Sequence, residues 1–341
     1  MSQRRCPIIE LNLSQIESLI RPALTNTVVS FELMTQGAIN SNYKVTLDNG
    51  KNILLRLYGQ QTPGAEGRNR VEADVISLVA DRVPVAEILY AGNTCDDRLI
   101  GLIDQGIGGK PRPYAILKWC EGILLQQLLD GGKYLKSRAY LTDVMAAVGE
   151  TLAAIGSYKF ARSGFFAANL KIDQTFGSDA SEYLHSCLAN DLVQTRLGAD
   201  LHKRLGDYVD AGALELNQYL AGEETTLVHG DFNALNILVT ENRDRWCVSA
   251  VLDWEFAHAG TKLFDIGNFL RQEQKYPGMT AAFIAGYETS GAKLPQNSRQ
   301  MARYVDLNSL LEFLTIAEAR QELFAKTIAN IEQTLAQKSC Y

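Results

Sequence analysis

The apolar positions of the chain change period several times, and each change predicts an element. Ile16, Leu19, Ile20 and Leu24 recur at helical spacing behind Ser14-Gln-Ile-Glu17, a pattern that fits a capping box, so a short leading helix is expected. From Val28 the period falls to two, with Val29, Phe31 and Leu33 alternating. The polar stretch 35–42 then separates this strand from a second at 43–47. Asp48-Asn-Gly50 is a tight-turn signal that returns the chain into a third strand over 52–57. Val71, Val75, Leu78 and Val79 define the inward face of a helix over 70–80. Strands are expected over 83–90 and 114–122, with the Gly/Pro-rich stretch 106–113 as the loop between them.

After Gly122 the texture becomes helical. Leu124, Leu125, Leu128 and Leu129 make a short amphipathic piece ended by Asp130-Gly-Gly132, and Leu141, Val144, Met145, Val148, Leu152 and Ile155 make a long one. The stretch 123–226 carries no chemical motif, and Gly164-Phe-Phe166 within it reads equally well as a buried aromatic anchor. Two short β-prone runs, 237–239 and 248–252, flank the polar turn Glu241-Asn-Arg-Asp-Arg245 and predict a hairpin. A helix opens at Asp265, and helices are expected to fill the remainder, with Ile284, Tyr287, Leu307, Leu310, Leu311, Leu314 and Ile316 as core positions. The change from strands to helices near 118–122 marks a boundary, which divides the chain into 1–119 and 120–341.

Composition narrows the classes of function. At 341 residues, with 46% hydrophobic and 21% charged content, the chain can bury a sizeable core in two lobes. A net charge of −6, with no run of Lys or Arg, argues against general nucleic-acid binding. Cysteines at 6, 95, 120, 187, 247 and 340 form no Cys-x-x-Cys or Cys/His pair, so neither a zinc site nor a disulfide framework is indicated. No apolar run approaches the ~18 residues of a membrane span and none follows the first residues as a signal core, so a cytoplasmic protein is expected.

The chemistry concentrates between residues 227 and 255. Asp231 and Asn236 stand five apart just before an apolar run, and Asp253 closes the next. A nucleoside triphosphate arrives with several negative charges and Mg²⁺, so its protein needs a few rigid oxygen ligands and a carboxylate where an acceptor hydroxyl arrives. Asn236 and Asp253 suit the first task and Asp231 the second. Singly, each of these residues is commoner as a cap or turn residue, and the joint pattern is what points to catalysis. The stretch Thr35-Gln-Gly-Ala-Ile-Asn-Ser-Asn42 is a candidate phosphate loop, with Gly37 for close backbone approach and Asn40, Ser41 and Asn42 as side-chain donors. Alone, it reads as a hairpin turn.

His229-Gly-Asp-x-x-x-x-Asn236 with Leu252-Asp-Trp-Glu255 resembles the aminoglycoside phosphotransferase and choline kinase-like family, small-molecule kinases related to protein kinases. Protein kinases would show His-Arg-Asp and Asp-Phe-Gly instead. The resemblance implies an α+β, two-lobed protein-kinase-like fold, with a small N-terminal sheet lobe carrying one key helix and a larger, mainly helical C-terminal lobe. It implies Asp231 as catalytic base, Asn236 and Asp253 as Mg²⁺ ligands, and His229 and Asp265 as braces of the catalytic loop. Arg56 occupies the third-strand place where protein kinases put a phosphate-binding Lys, with Glu72 as its expected partner and Glu66 and Asp74 as competitors. Lys118, Trp119 and Cys120 are candidates for meeting the nucleobase by position alone. The sequence departs from the family pattern at Gly156-Ser157, where a His is common.

The expected reaction is transfer of the γ-phosphoryl group of ATP, or of another nucleoside triphosphate, to a hydroxyl or amine of a small molecule in the presence of Mg²⁺. A nucleotide-binding regulatory module and a protein kinase are the alternatives. The acceptor stays open among aminoglycoside, choline, homoserine and sugar. Glu312, Glu318 and Glu322 would suit a cationic one, although acids on a terminal helix more often form a solvated face.

Overall fold

The computed structural model describes residues 6–34, 39–59, 68–94, 112–131, 138–243, 245–276 and 278–337. The chain folds as two compact units. The first comprises Met1–Gly122 with Phe166–Lys171 and Ser249–Glu255, and the second comprises Ile123–Phe165, Ile172–Val248 and Phe256–Tyr341. Among the described residues, no helix is long and apolar enough to cross a membrane.

The first unit is built on an antiparallel sheet of β1 (Val28–Met34), β2 (Ser41–Leu47), β3 (Asn52–Leu57), β4 (Ile88–Asn93) and β5 (Pro113–Lys118), in the order β1-β2-β3-β5-β4. The Asp48-Asn-Gly50 turn joins β2 to β3 as its sequence requires. Gly50 takes φ +75, and its N–H closes the turn on the Leu47 carbonyl at 2.9 Å. Period-two alternation along β2 sends Tyr43, Val45 and Leu47 to one face, where they meet Ile53, Leu55, Leu57, Tyr114 and Ile116. Helix α1 (Leu13–Ile20) closes that face with Ile16, Leu19 and Ile20. An eight-residue helix is marginal alone, and burying three such side chains contributes on the order of 5 kcal/mol, so packing holds α1 in place. Helix α2 (Arg68–Val79) follows β3.

Several local expectations are corrected. The cap of α1 is Asn12, reciprocated by Gln15, so the helix starts two residues earlier than Ser14 would have set it. Val29 and Phe31 on β1 are 66% and 37% exposed, since β1 is an edge strand whose faces are little covered. The buried face of α2 is Glu72, Val75, Ile76 and Val79, with Val71 and Leu78 at its margins. The strand expected over 83–90 begins only at Ile88. Pro84 lacks an N–H, and the segment before β4 makes a single parallel bridge, Val85 to Val251, with the Val251 N–H donating to the Pro84 carbonyl at 2.8 Å.

In the second unit, β6 (Ile123–Leu124) leads into α3 (Leu125–Leu129) and then α4 (Arg138–Ile155). A five-stranded sheet orders β7 (Lys159–Phe160), β10 (Thr225–Val228), β13 (His258–Gly260), β8 (Gly164–Phe166) and β9 (Ile172–Thr175). Strand β11 (Ile237–Asn242) lies between β6 and β12 (Arg245–Val251), which is the expected hairpin. The stretch without chemical motifs contains α5 (Glu182–Leu188) and α6 (Asp191–Gly222). The latter is capped by Asn190 and broken at Gly198, which takes φ +71. Helices α7 (Leu263–Leu270), α8 (Met279–Thr289), α9 (Ser298–Thr315) and α10 (Gln321–Ala336) complete it.

Helices α4 and α8 pack most closely where each carries a glycine. A Cβ on Gly149 would lie 2.0 Å from the Phe283 carbonyl oxygen, and one on Gly286 would lie 2.0 Å from that of Ala146. The backbones themselves are in contact, so no side chain can yield. Gly286→Ala is therefore expected to destabilise the protein by about 2 kcal/mol, read as a lowered denaturation midpoint in urea.

Candidate active site

In the second unit, the segment after β10 is fastened before it does any chemistry. The carboxylate of Asp265, on α7, accepts the N–H groups of His229 (2.7 Å) and Gly230 (3.0 Å). Asp265 is buried, which drives its pKa up to about 7 against the pull of those two N–H groups, with the Asp231 charge adding to the rise. Gly230 takes φ +83, and a Cβ there would come within 2.3 Å of the Phe256 carbonyl oxygen, so no other residue fits this turn. The buried ring of His229 accepts the Asp231 N–H on Nδ1 at 3.2 Å and meets Phe232 edge-on. That is the geometry of a brace.

Asp231 is thereby presented partly buried, and its carboxylate is held at both oxygens. Oδ1 accepts from the side-chain amide of Asn233 (2.7 Å) and Oδ2 from that of Asn236 (2.8 Å). The Asn236 amide also donates to the Asp231 carbonyl at 2.9 Å, which closes the five-residue loop on itself and directs the amide nitrogen inward. The Leu235 N–H donates to Asn233 Oδ1, and the Ala234 carbonyl accepts the Gln126 N–H of α3 at 2.9 Å. A carboxylate pinned by two neutral donors keeps lone pairs for a further hydroxyl.

In the first unit, a second cluster forms around Arg56 on β3. Its Nε donates to Asn42 Oδ1 (3.2 Å), its Nη1 to Glu72 Oε1 (2.8 Å) and its Nη2 to Asp253 Oδ1. Burial opposes the charge on Arg56, but the carboxylates of Asp253 and Glu72 more than offset it and raise its pKa well above the ordinary value. Glu72 is 1% exposed and receives two further donors, the Tyr58 hydroxyl on Oε2 and the Trp254 N–H on Oε1 at 3.3 Å. Asp253 has φ +61, a left-handed conformation that a non-glycine residue adopts at some cost, and its side chain is partly exposed.

The remaining expected residues are placed as follows. Of the three acids considered for Arg56, Glu72 meets it, Asp74 instead accepts the Asn169 N–H at 2.7 Å, and Glu66 lies outside the described residues. Gly37 also lies outside them. Asn40 is buried, donating to Glu255 (3.1 Å) and accepting the Gly59 N–H (3.2 Å). Ser41 is fully buried, and its hydroxyl accepts the Ile9 N–H at 2.9 Å. Lys118 is exposed and paired with Glu87, while Lys44 lies 4.7 Å above the Trp119 ring. Cys120 is partly buried, and burial, with Glu121, raises its pKa. Sequence reasoning missed Tyr58 and Asn233, and it read Asn42 as a loop donor where its Oδ1 accepts Arg56 Nε. A signal for Tyr58 existed, because it stands two residues after Arg56 in the same extended run and so shares its face.

The fold is of the protein-kinase-like type. Aminoglycoside phosphotransferase APH(4)-Ia aligns with a TM-score of 0.67 at 16% identity, covering 96% of this chain and 100% of that one. The GDP complex of aminoglycoside 2′-phosphotransferase-IIIa aligns at 0.59 and 13% identity (96% and 100% covered), and a putative fructosamine-3-kinase from Thermobifida fusca at 0.58 and 16% (93% and 98%). No curated protein matches the chain in sequence. Residues 30–330 match the phosphotransferase enzyme family, and the chain belongs to that family.

Asp265→Ala would strand the buried His229 N–H and the partly buried Gly230 N–H at the turn. A loss of about 3 kcal/mol in unfolding free energy is expected, measured by denaturant titration.

Proposed function

We propose that the protein transfers the γ-phosphoryl group of ATP, or of another nucleoside triphosphate, to a hydroxyl group, or an amine, of a small molecule. The observation that carries this reading is Asp231, whose two carboxylate oxygens are each held by a side-chain amide within the loop it occupies. Asp231 would accept the proton of the incoming hydroxyl, and its fixed plane would hold that group for in-line attack. Arg56, charged at any accessible pH, would face the phosphates, with Glu72 holding it in place. Gly37, Asn40 and Ser41 would shape the chain that covers the phosphates, and Lys118 and Cys120 would lie beside the nucleobase.

The donor chemistry of Asn236 and Asp253 suits Mg²⁺. Both present oxygen, the preference of a hard cation, and the Asn236 amide nitrogen is engaged by Asp231, which leaves Oδ1 as the atom offered to the cation. When bound, Mg²⁺ would neutralise charge that develops on the transferring phosphoryl group.

The test is nucleotide consumption with ATP and with GTP against a panel of aminoglycosides, choline, homoserine and sugar amines. Asp231→Ala is expected to lower turnover by about 10²–10⁴-fold with the fold intact by circular dichroism, and a near-normal rate would refute its role. Asp253→Ala is expected to remove Mg²⁺-dependent nucleotide binding. The wild type should gain about 2.7 kcal/mol of stability at ~100 times Kd of Mg·nucleotide, and a variant with the same gain would overturn that assignment.

A further inference from the structure

We infer that Tyr58 is a positioning residue, which orients Arg56 through Glu72 and orients Asp253 through Arg56. The inference rests on the phosphotransfer reading above, in which Arg56 serves the phosphates and Asp253 the metal.

Tyr58 is 4% exposed and stands just beyond the end of β3, two residues from Arg56. Its hydroxyl donates to Glu72 Oε2, the oxygen that Arg56 does not use. Burial and the Glu72 charge hold that hydroxyl far above its ordinary ionisation range, so it is a proton donor throughout the working pH range. The terminal torsion of a glutamate is soft, and a carboxylate tied at one oxygen swings about it. Here one oxygen is fixed by Tyr58 and the other by Arg56 Nη1 and the Trp254 N–H. The plane of the carboxylate is therefore set from opposite sides.

The guanidinium transmits this constraint because it is planar and rigid. Asn42 holds Nε as a pivot, Glu72 takes one arm and Asp253 the other. Removing the Tyr58 hydroxyl would leave Glu72 Oε2 buried without that donor, and the carboxylate would turn towards the guanidinium to recover one. Turning the fork about Nε then draws Nη2 away from Asp253. The Trp254 N–H belongs to the residue after Asp253, so Glu72 also steadies the left-handed backbone there.

The experiment uses the full chain and a non-hydrolysable ATP or GTP analogue, with Mg²⁺ and with EDTA, in the wild type, Tyr58→Phe, Glu72→Gln and the double variant. Tyr58→Phe is expected to raise the Kd of the Mg²⁺ complex about tenfold, the scale of one hydrogen bond to a buried charge, and to change the EDTA value less. In the Glu72→Gln background the same change is expected to have no further effect. An equal loss in both backgrounds, or an equal loss with and without Mg²⁺, would assign Tyr58 a merely structural role and overturn the inference. An unchanged Kd in a folded Tyr58→Phe would overturn it as well. Should Tyr58→Phe fail to fold, a ring-fluorinated tyrosine at position 58 keeps the shape and alters only the acidity of the donor. It should shift the Mg²⁺-dependent Kd in the wild type and not in Glu72→Gln, and no shift in the wild type would count against the role. Absence of nucleotide binding by the wild type would overturn the phosphotransfer reading, and this inference with it. Binding by the wild type that Tyr58→Phe leaves intact would overturn the inference alone.

Discussion

A guanidinium taken out of water costs several kcal/mol unless acceptors replace the solvent, and in the first unit that requirement governs what surrounds Arg56. The acceptors come from three parts of the chain: Asn42 on β2, Glu72 on α2 and Asp253 in the segment after β12. Each of these elements has to approach the strand that carries Arg56. The sheet supplies Asn42 by register, since Asn42 pairs directly with Arg56 across the β2–β3 ladder. Helix α2 supplies Glu72 by presenting a charged residue on its buried face, among Val75, Ile76 and Val79. Removing any one acceptor leaves a buried charge short of partners, so packing and electrostatics in this unit are one constraint.

The second unit solves a similar problem for a buried acid. Asp265 is the buried carboxyl group, and its partners are two backbone N–H groups of the loop that carries Asp231. A side chain on a helix thus dictates the shape of a loop, because both of its oxygens are met by backbone donors of that loop. Gly230 completes the arrangement by admitting the close pass of the Phe256 carbonyl. The loop's precision derives from a helix and a glycine, and within it the amides of Asn233 and Asn236 fix the Asp231 carboxylate.

The strongly periodic elements were legible in the sequence: α1, β2, β3, α2 and α4 each carry a clean apolar pattern, and the Asp48-Asn-Gly50 turn names its own geometry. The helical stretch of α5 and α6 was not read, since its apolar residues are diluted and Gly198 interrupts them. The alternation of β1 promised a buried face, but a strand's period does not tell whether anything covers it. Within the candidate site, Arg56 and Glu72 could be paired by their places on a strand and a helix. The roles of Tyr58 and Asn233 depend on which oxygen of a carboxylate stays unclaimed, and spacing carries no such information. Nor could spacing show that the Ser41 hydroxyl accepts the Ile9 N–H, a tertiary contact to a residue far away in sequence.

Asp253 occupies a left-handed conformation that glycine or asparagine would adopt with less strain. At this position, then, the substitutions that would relax the backbone are those that remove the carboxylate from Arg56. Relief of backbone strain and compensation of the Arg56 charge pull in opposite directions at a single residue. Whichever residue stands there, one of two costs is carried: glycine or asparagine would relax the backbone and leave the buried Arg56 with one carboxylate fewer.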